Sequence, residues 1–462
     1  MNMTLWLAVL VVIVMVWALV KRYETRLVLI TAGIVLAMLT LKPMAALDAF
    51  AASMTNAGLI QAICSAMGFA FVISYTRCDE HLVTLLAKPL GRLGLFLMPA
   101  SAAVTFFVNT AIPSAAGCAA AVGATLIPLM MRSGIHPAGA AAAVLVGTYG
   151  SVLSPGNSHN VFVAKISNMD IMALIAHHAP FSSVMIGIGI VGITVAGFLF
   201  KDHRRAVAAG AIGTDVAGAP LAGAALTSPV LASPALASPA LASAAPAGAA
   251  PAGAPKKREA ITHANLLYSL VPFVPLTLLV VGNAWVPALK MGVPQAMIIG
   301  AIVALAVTRV SPAAMTKEFF NGMGKAYGDV IGIIIAAGVF AAGLKTAGLI
   351  DVFIITLKES NEIARWGGSI GPFLMAVISG SGDAAAFAFN EAVTPHAKDF
   401  GMTIPDLGML AAISGALGRT MSPVAGVVIV VSGIANVSPL DVVKRTAPAM
   451  IVAVITLALI MV

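Results

Sequence analysis

The chain has 462 residues, of which 60% are hydrophobic and only 10% charged. About a quarter of residues are charged in soluble domains, so this composition excludes a water-soluble enzyme and describes an all-α polytopic membrane protein. The net charge of +8 falls in short clusters between apolar runs, which reports membrane orientation rather than nucleic-acid binding.

A helix needs about 20 apolar residues to cross about 30 Å of hydrocarbon. Runs of that kind lie near 3–20, 27–41, 59–75, 181–200, 264–283, 293–308, 326–344 and 446–462. The first is as hydrophobic as a signal peptide but lacks a basic start and a small-residue cleavage site. Lys21, Arg22 and Arg26 follow it, so it reads as a transmembrane helix with its amino end outside. Cys64, Cys78 and Cys118 are too few and too scattered for a disulfide framework or a thiolate metal site, and read as small packed residues.

Regions 95–180 and 370–445 are apolar yet repeatedly interrupted by Gly, Pro, Ser, Asn and Asp. Between them, residues 206–255 hold one charge, Asp215, and a pentapeptide repeat from Leu226 to Ala240. Proline every five residues prevents a continuous helix, and Ala, Ser and Gly offer little to pack, so this segment reads as a flexible, disordered linker. Lys201, Arg204 and Arg205 precede it and Lys256, Lys257 and Arg258 follow it, which places it in the cytoplasm.

An internal repeat spans the linker. Residues 147–155 read GTYGSVLSP and residues 415–423 read GALGRTMSP, an offset of 268. At that offset Asn168 meets Asn436 and Pro180 meets Pro448, while Gly68 aligns with Gly338 at an offset of 270. Residues 95–131 as one helix would be about 55 Å long, so the interruption at Asn109 to Gly117 predicts a re-entrant hairpin.

Two halves follow, 1–205 and 256–462, each with about five transmembrane helices and a hairpin. The first half has its hairpin at about 95–131 and a broken helix at about 137–178, which exits at His177 and His178. The second has its hairpin at about 370–396 and a broken helix at about 404–438, which delivers Lys444 and Arg445 to the cytoplasm. Tracing the basic clusters puts the halves in opposite orientations, an inverted repeat of the kind that builds secondary transporters.

Non-helical backbone at membrane depth needs protein or a watery cavity to satisfy it. The hairpin tips are Asn109-Thr110-Ala111-Ile112-Pro113-Ser114 and Ser379-Gly380-Ser381-Gly382-Asp383. The broken helices are interrupted at Ser154-Pro155-Gly156-Asn157-Ser158 and at Ser422-Pro423-Val424-Ala425-Gly426. One Ser-Pro pair alone reads as a kink; four matched interruptions carrying hydroxyls and amides read as a solute site. Helix amino ends facing such gaps favour anions.

Ionisable groups inside spans are costly and point to function. Arg419 is the candidate to meet a carboxylate, because its planar fork binds one bidentately. An ion pair of Arg419 with Asp383 or Glu391 is the competing reading. Asp383 is also the candidate carrier of a coupling Na⁺ or H⁺. His159 reads equally as a substrate contact, a titrating group or a hydrogen-bonded spacer. No phosphate loop, HExxH motif or nucleophile elbow occurs, so ATP-driven transport and hydrolysis have no support. The candidate substrate-binding set is Asn109, Thr110, Ser114, Ser154, Asn157, Ser158, Ser381, Gly382, Asp383, Arg419 and Ser422.

The motifs AMGFAF, the AKPL at Ala87 to Leu90, VLSPGNSHNVFVAKISNMD from Val152, SGSGDAAAFAF from Ser379 and GRTMSPVAGVV from Gly418 resemble the anaerobic C4-dicarboxylate carrier family of the DcuC type, within the ion transporter superfamily. The resemblance covers nearly the whole chain outside 206–255. It implies a carrier of the bacterial inner membrane that exports or exchanges succinate, fumarate or malate without a cofactor. It also implies a scaffold domain and a transport domain that moves as an elevator. Superfamily members with solved substrate sites use Ser-Asn-Thr tips, and the tips here depart from that pattern. A carrier of amino acids or other carboxylates, a Na⁺/H⁺ antiporter, and a non-transporting sensor or scaffold are the alternatives. The expected partners are a dicarboxylate and membrane lipids, and a homodimer is one of the assemblies left open.

Overall fold

The computed structural model of the protein describes residues 3–202 except 22, 88, 91 and 92, and residues 261–461 except 262, 351 and 353–360. The 206–255 linker expected from the sequence lies outside the described residues. Every regular element among the described residues is helical.

The first half runs α1 (Met3–Val20), α2 (Thr25–Leu39), α3 (Pro43–Met54), α4 (Ala57–Tyr75), α5 (Cys78–Ala87), α6 (Leu97–Ala111), α7 (Ala115–Arg132), α8 (Pro137–Gly147), α9 (Ser158–Ser167) and α10 (Ile171–Leu199). The second runs α11 (Leu266–Leu270), α12 (Val274–Ala284), α13 (Val293–Thr308), α14 (Pro312–Ala326), α15 (Gly332–Thr346), α16 (Asn361–Ser379), α17 (Gly382–Ala392), α18 (Ile404–Thr420), α19 (Gly426–Ala435) and α20 (Pro439–Ile460). A π-helical turn, Tyr327–Ile331, joins α14 to α15. Among the described residues, seven stretches are long and apolar enough to cross a membrane: 57–75, 115–132, 137–167, 171–199, 266–284, 312–346 and 439–460.

Local chemistry sets the boundaries. Pro43, Pro137, Pro312 and Pro439 open α3, α8, α14 and α20, where the missing amide hydrogen costs nothing. Asn168 and Asn436 close α9 and α19 in the left-handed conformation, with φ of +54° and +53°. Asparagine tolerates that conformation better than most residues. These two residues are 268 apart, as are Thr25 and Val293 at the starts of α2 and α13.

Packing crosses the halves. α2 lies against α15 and α4 against both α13 and α14, while α10 runs along α20. At the first contact the backbones nearly touch: a Cβ added to Gly343 would lie 2.4 Å from the Gly33 carbonyl oxygen. Small residues permit this approach, through which membrane helices associate by van der Waals contact. Gly343→Ala is expected to cost about 1–3 kcal/mol, because the obstacle is backbone and cannot rotate away. Thermal unfolding in detergent measures it, and an unchanged midpoint would contradict the packing.

Several boundaries differ from the sequence expectation. The first broken helix ends at Ser167, and residues 171–178 belong to α10, a helix of 29 residues with Pro180 inside it. Its His178 is fully buried and bonded to Ser182 at 3.0 Å, so this histidine is an interior residue. The second hairpin starts at Asn361 rather than near 370, and its second arm ends at Ala392. Arg445, expected among the cytoplasmic basic residues, is buried: its guanidinium grips Asp202 at 2.7 and 2.8 Å.

Candidate functional site

The interruptions meet at one cavity of about 300 Å³. Its wall includes Pro113, Ser114 and Ala115 of the first hairpin, Gly156, Asn157 and Ser158 of the first broken helix, and Gly380 to Asp383 of the second hairpin. Arg419, Gly426 and Val427 of the second broken helix complete that side. Helix α4 supplies the opposite wall through Ile63, Met67 and Ala70. The AMGFAF stretch was legible as a repeat motif, but nothing local in it identified a cavity wall.

Four helix amino ends open on this space, those of α7, α9, α17 and α19. Three carry side-chain caps. Ser114 accepts from the Gly117 amide at 3.2 Å, Asn157 from the His159 amide at 2.9 Å, and Ser381 from the Ala384 amide at 3.1 Å. Each cap satisfies one orphan donor and leaves other first-turn N–H groups for a ligand. α19 begins at Gly426 after Ala425 with no side-chain cap, so its amide donors face the cavity without one.

The candidate residues divide. Ser114, Asn157, Ser158, Ser381, Gly382, Asp383 and Arg419 line the cavity. Asn109, Thr110, Ser154 and Ser422 stand behind it. Asn109 is fully buried; it donates to the Ile112 carbonyl at 2.9 Å and accepts from the Ser151 amide at 2.6 Å, bracing the first hairpin tip against the first broken helix. The Thr110 hydroxyl donates to Phe106 and Gly150 carbonyls. The Ser154 carbonyl accepts from Asn160 at 2.9 Å. Ser422 is fully buried, and its hydroxyl has no protein partner among the described residues.

Gly382 lets the second hairpin sit on the second broken helix. A Cβ there would lie 2.5 Å from the Gly415 carbonyl oxygen, and one on Gly415 would lie 2.7 Å from that of Gly382. Gly382→Ala is therefore expected to push the tip of α17 off α18 and raise the substrate KM at least about tenfold, since a 1 Å misplacement is costly at such a site. Vesicle flux kinetics check it, and an unchanged KM would count against the close approach.

Arg419 and Asp383 are the two ionisable residues among the described ones in the wall. The expected alternative, an ion pair between them, is not formed. Asp383 is bonded instead to His159, with Nε2 and Oδ1 2.9 Å apart. The His159 side chain is 9% exposed and stacks on Phe387 with 4.2 Å between centroids. The Asp383 side chain is 46% exposed, into the cavity. Arg419 reaches the Thr148 carbonyl oxygen at 3.4 Å, and its Nε is buried without a partner among the described residues. Its guanidinium thus retains donor capacity, and it lies at the carboxyl end of α18, where a cation is favoured. Sequence reasoning proposed His159 without its partner, because α9 and α17 are 224 residues apart at this bond.

A polar cavity ringed by broken helix ends within a bundle of membrane-length helices has the form that the solute sites of transport proteins take. Comparison with known proteins specifies the family. Residues 252–462 match the family described as DcuC, C4-dicarboxylate anaerobic carrier. A Haemophilus influenzae protein described as an uncharacterized transporter is 46% identical over 320 residues, 67% of this chain and 100% of that one. A second from the same organism, described the same way, is 60% identical over 131 residues, 28% of this chain and 90% of that one. The anaerobic C4-dicarboxylate transporter DcuC of Escherichia coli K12 is 27% identical over 404 residues, 84% of this chain and 77% of that one.

The chain belongs to this C4-dicarboxylate anaerobic carrier family. It is a transporter rather than an enzyme, and a multi-pass helical protein of the bacterial inner membrane.

Proposed function

We propose that the protein carries C4-dicarboxylates such as succinate, fumarate and malate, by export or exchange. The observation that carries this reading is the ring of four helix amino ends with Arg419 beside them. Each end is worth roughly +0.5 charge, so together they offer about +2 in a space where Arg419 and Asp383 offset one another. That matches a dianion better than a monocarboxylate. A dianion leaving an inside-negative cell gains about 2.3 kcal/mol per charge per 100 mV, so efflux needs no ATP.

The halves are read as an inverted repeat, supported by the recurrence of element starts and of the Asn168 and Asn436 caps about 268 residues apart. On that reading the hairpins and broken helices form a transport domain that moves as an elevator past a scaffold of the remaining helices. Cysteine pairs joining hairpin arms to scaffold helices should stop turnover when crosslinked, and full turnover in a locked pose would sink the elevator. Na⁺ or H⁺ is the proposed coupling ion, with Asp383 as its carrier. Proteoliposome flux with pH, Na⁺ and potential varied separately identifies which.

Counterflow of labelled succinate against a panel of acids tests the substrate class. Succinate, fumarate and malate should compete, and amino acids should not. A carrier of amino acids is the second reading, because Asp383 in the wall offers a partner for an ammonium group. Deleting 206–255 should leave flux intact in a carrier, whereas a scaffold would lose a partner.

A further inference from the structure

On the anion-carrier reading, Arg419 must stay open to a ligand. Asp383 and Arg419 line the same cavity. Their backbones are adjacent: a Cβ on Gly382 would lie 3.2 Å from the Arg419 Cβ. Opposite charges so placed would ordinarily pair. Here the Asp383 carboxylate is held by His159 from the other half of the chain, and the Arg419 guanidinium is left with one long bond to Thr148.

His159 is itself fixed. Its amide is held by the Asn157 side chain, its ring stacks on Phe387, and Phe162 meets Phe387 edge-on at 5.4 Å between centroids. Nδ1 is buried with no partner among the described residues. The tautomer with hydrogen on Nε2 donates to Asp383 and leaves only a lone pair unmatched on Nδ1, which costs less than burying an unpaired N–H.

We propose that His159 is a positioning residue whose bond to Asp383 keeps that carboxylate off Arg419, so that the guanidinium stays available to a substrate carboxylate. Without the bond, Asp383 becomes a tethered competitor for the group that the dianion needs. The arrangement also gives the site a default of net neutrality from these side chains, leaving the helix ends to set its preference for two negative charges.

The test is succinate binding to the purified full chain in detergent, by calorimetry in sodium-free buffer at one pH. His159→Ala is expected to raise the succinate Kd by about tenfold or more, as Asp383 turns to Arg419. Asp383→Asn in the His159→Ala background should return the Kd to within about threefold of that of Asp383→Asn alone, because no carboxylate is then left to occupy Arg419. His159→Gln, whose amide can donate to Asp383, should keep most of the affinity; it also serves if the alanine variant does not fold. A double variant as weak as His159→Ala would overturn the proposal, because a packing role or a direct substrate contact is not rescued by removing a carboxylate. A His159→Ala Kd equal to that of the unaltered protein would overturn it too. Should the unaltered protein bind no dicarboxylate, the carrier reading fails instead, a result separable from either of these.

Discussion

Replacing Arg419 by alanine is expected to abolish succinate flux in membrane vesicles while leaving the protein folded. The guanidinium lines the cavity and has one 3.4 Å contact with the Thr148 carbonyl, so the fold draws little from it. A bound carboxylate draws much more, because a charge-assisted, two-pronged contact is among the strongest a side chain can make. Truncating one partner of such a contact costs about 2–5 kcal/mol. At about 1.4 kcal/mol per decade that is roughly 30-fold to 3,000-fold in affinity. Lysine at this position keeps the charge but loses the fork, and should retain a measurable fraction of flux with a raised KM. Flux equal to that of the unaltered protein in the alanine variant would remove Arg419 from the site.

Much of this site was legible because its determinants are local. Ser114, Asn157 and Ser381 stand where a helix must start, and the residues that cap a helix are those that mark a break in an apolar run. The sequence thus located the hairpin tips and the interruptions. It did not separate residues facing the cavity from those bracing it. Asn109 and Thr110 are polar like Ser114, but their bonds to Ser151, Ile112 and Gly150 turn inward. That distinction depends on where the first broken helix lies, which no spacing encodes.

The missed side-chain contacts are pairings over long separations. His159 with Asp383 spans 224 residues and Arg445 with Asp202 spans 243. Helices α3 and α14 fall outside the apolar runs read from the sequence, because mixed polar and apolar residues reduce their resemblance to a membrane span. Lys444 and Arg445 are adjacent and equally basic, yet Lys444 is exposed and Arg445 buried. Only the direction in which α20 presents them tells the two apart.

The second large effect is expected at that buried pair, and it concerns the fold rather than the cavity. Asp202 has no exposed side-chain surface, and the Arg445 side chain is 8% exposed. Arg445 donates through Nε and Nη2 to both carboxylate oxygens, and through Nη1 to the Asp441 carbonyl at 2.7 Å. Its guanidinium also lies 4.7 Å from the centre of the Phe200 ring. The site is built close: a Cβ on Gly139 would meet Asp202 Oδ2 at 2.6 Å, and the Asp202 carbonyl accepts from the His136 amide at the start of α8. The pair therefore ties the end of α10 to α8 and α20, elements on both sides of the 206–255 segment. Removing one partner strands the other charge without water, at a cost of about 3–5 kcal/mol. Arg445→Ala and Asp202→Ala should each lower the unfolding midpoint in detergent by about 5 to 10 °C. Replacing both residues together should recover part of the loss, since no lone charge then remains buried. The protein that stays folded should keep its succinate KM, which separates this arginine from Arg419. A single variant as stable as the unaltered protein would mean that water reaches the pair and that the two halves are held together elsewhere.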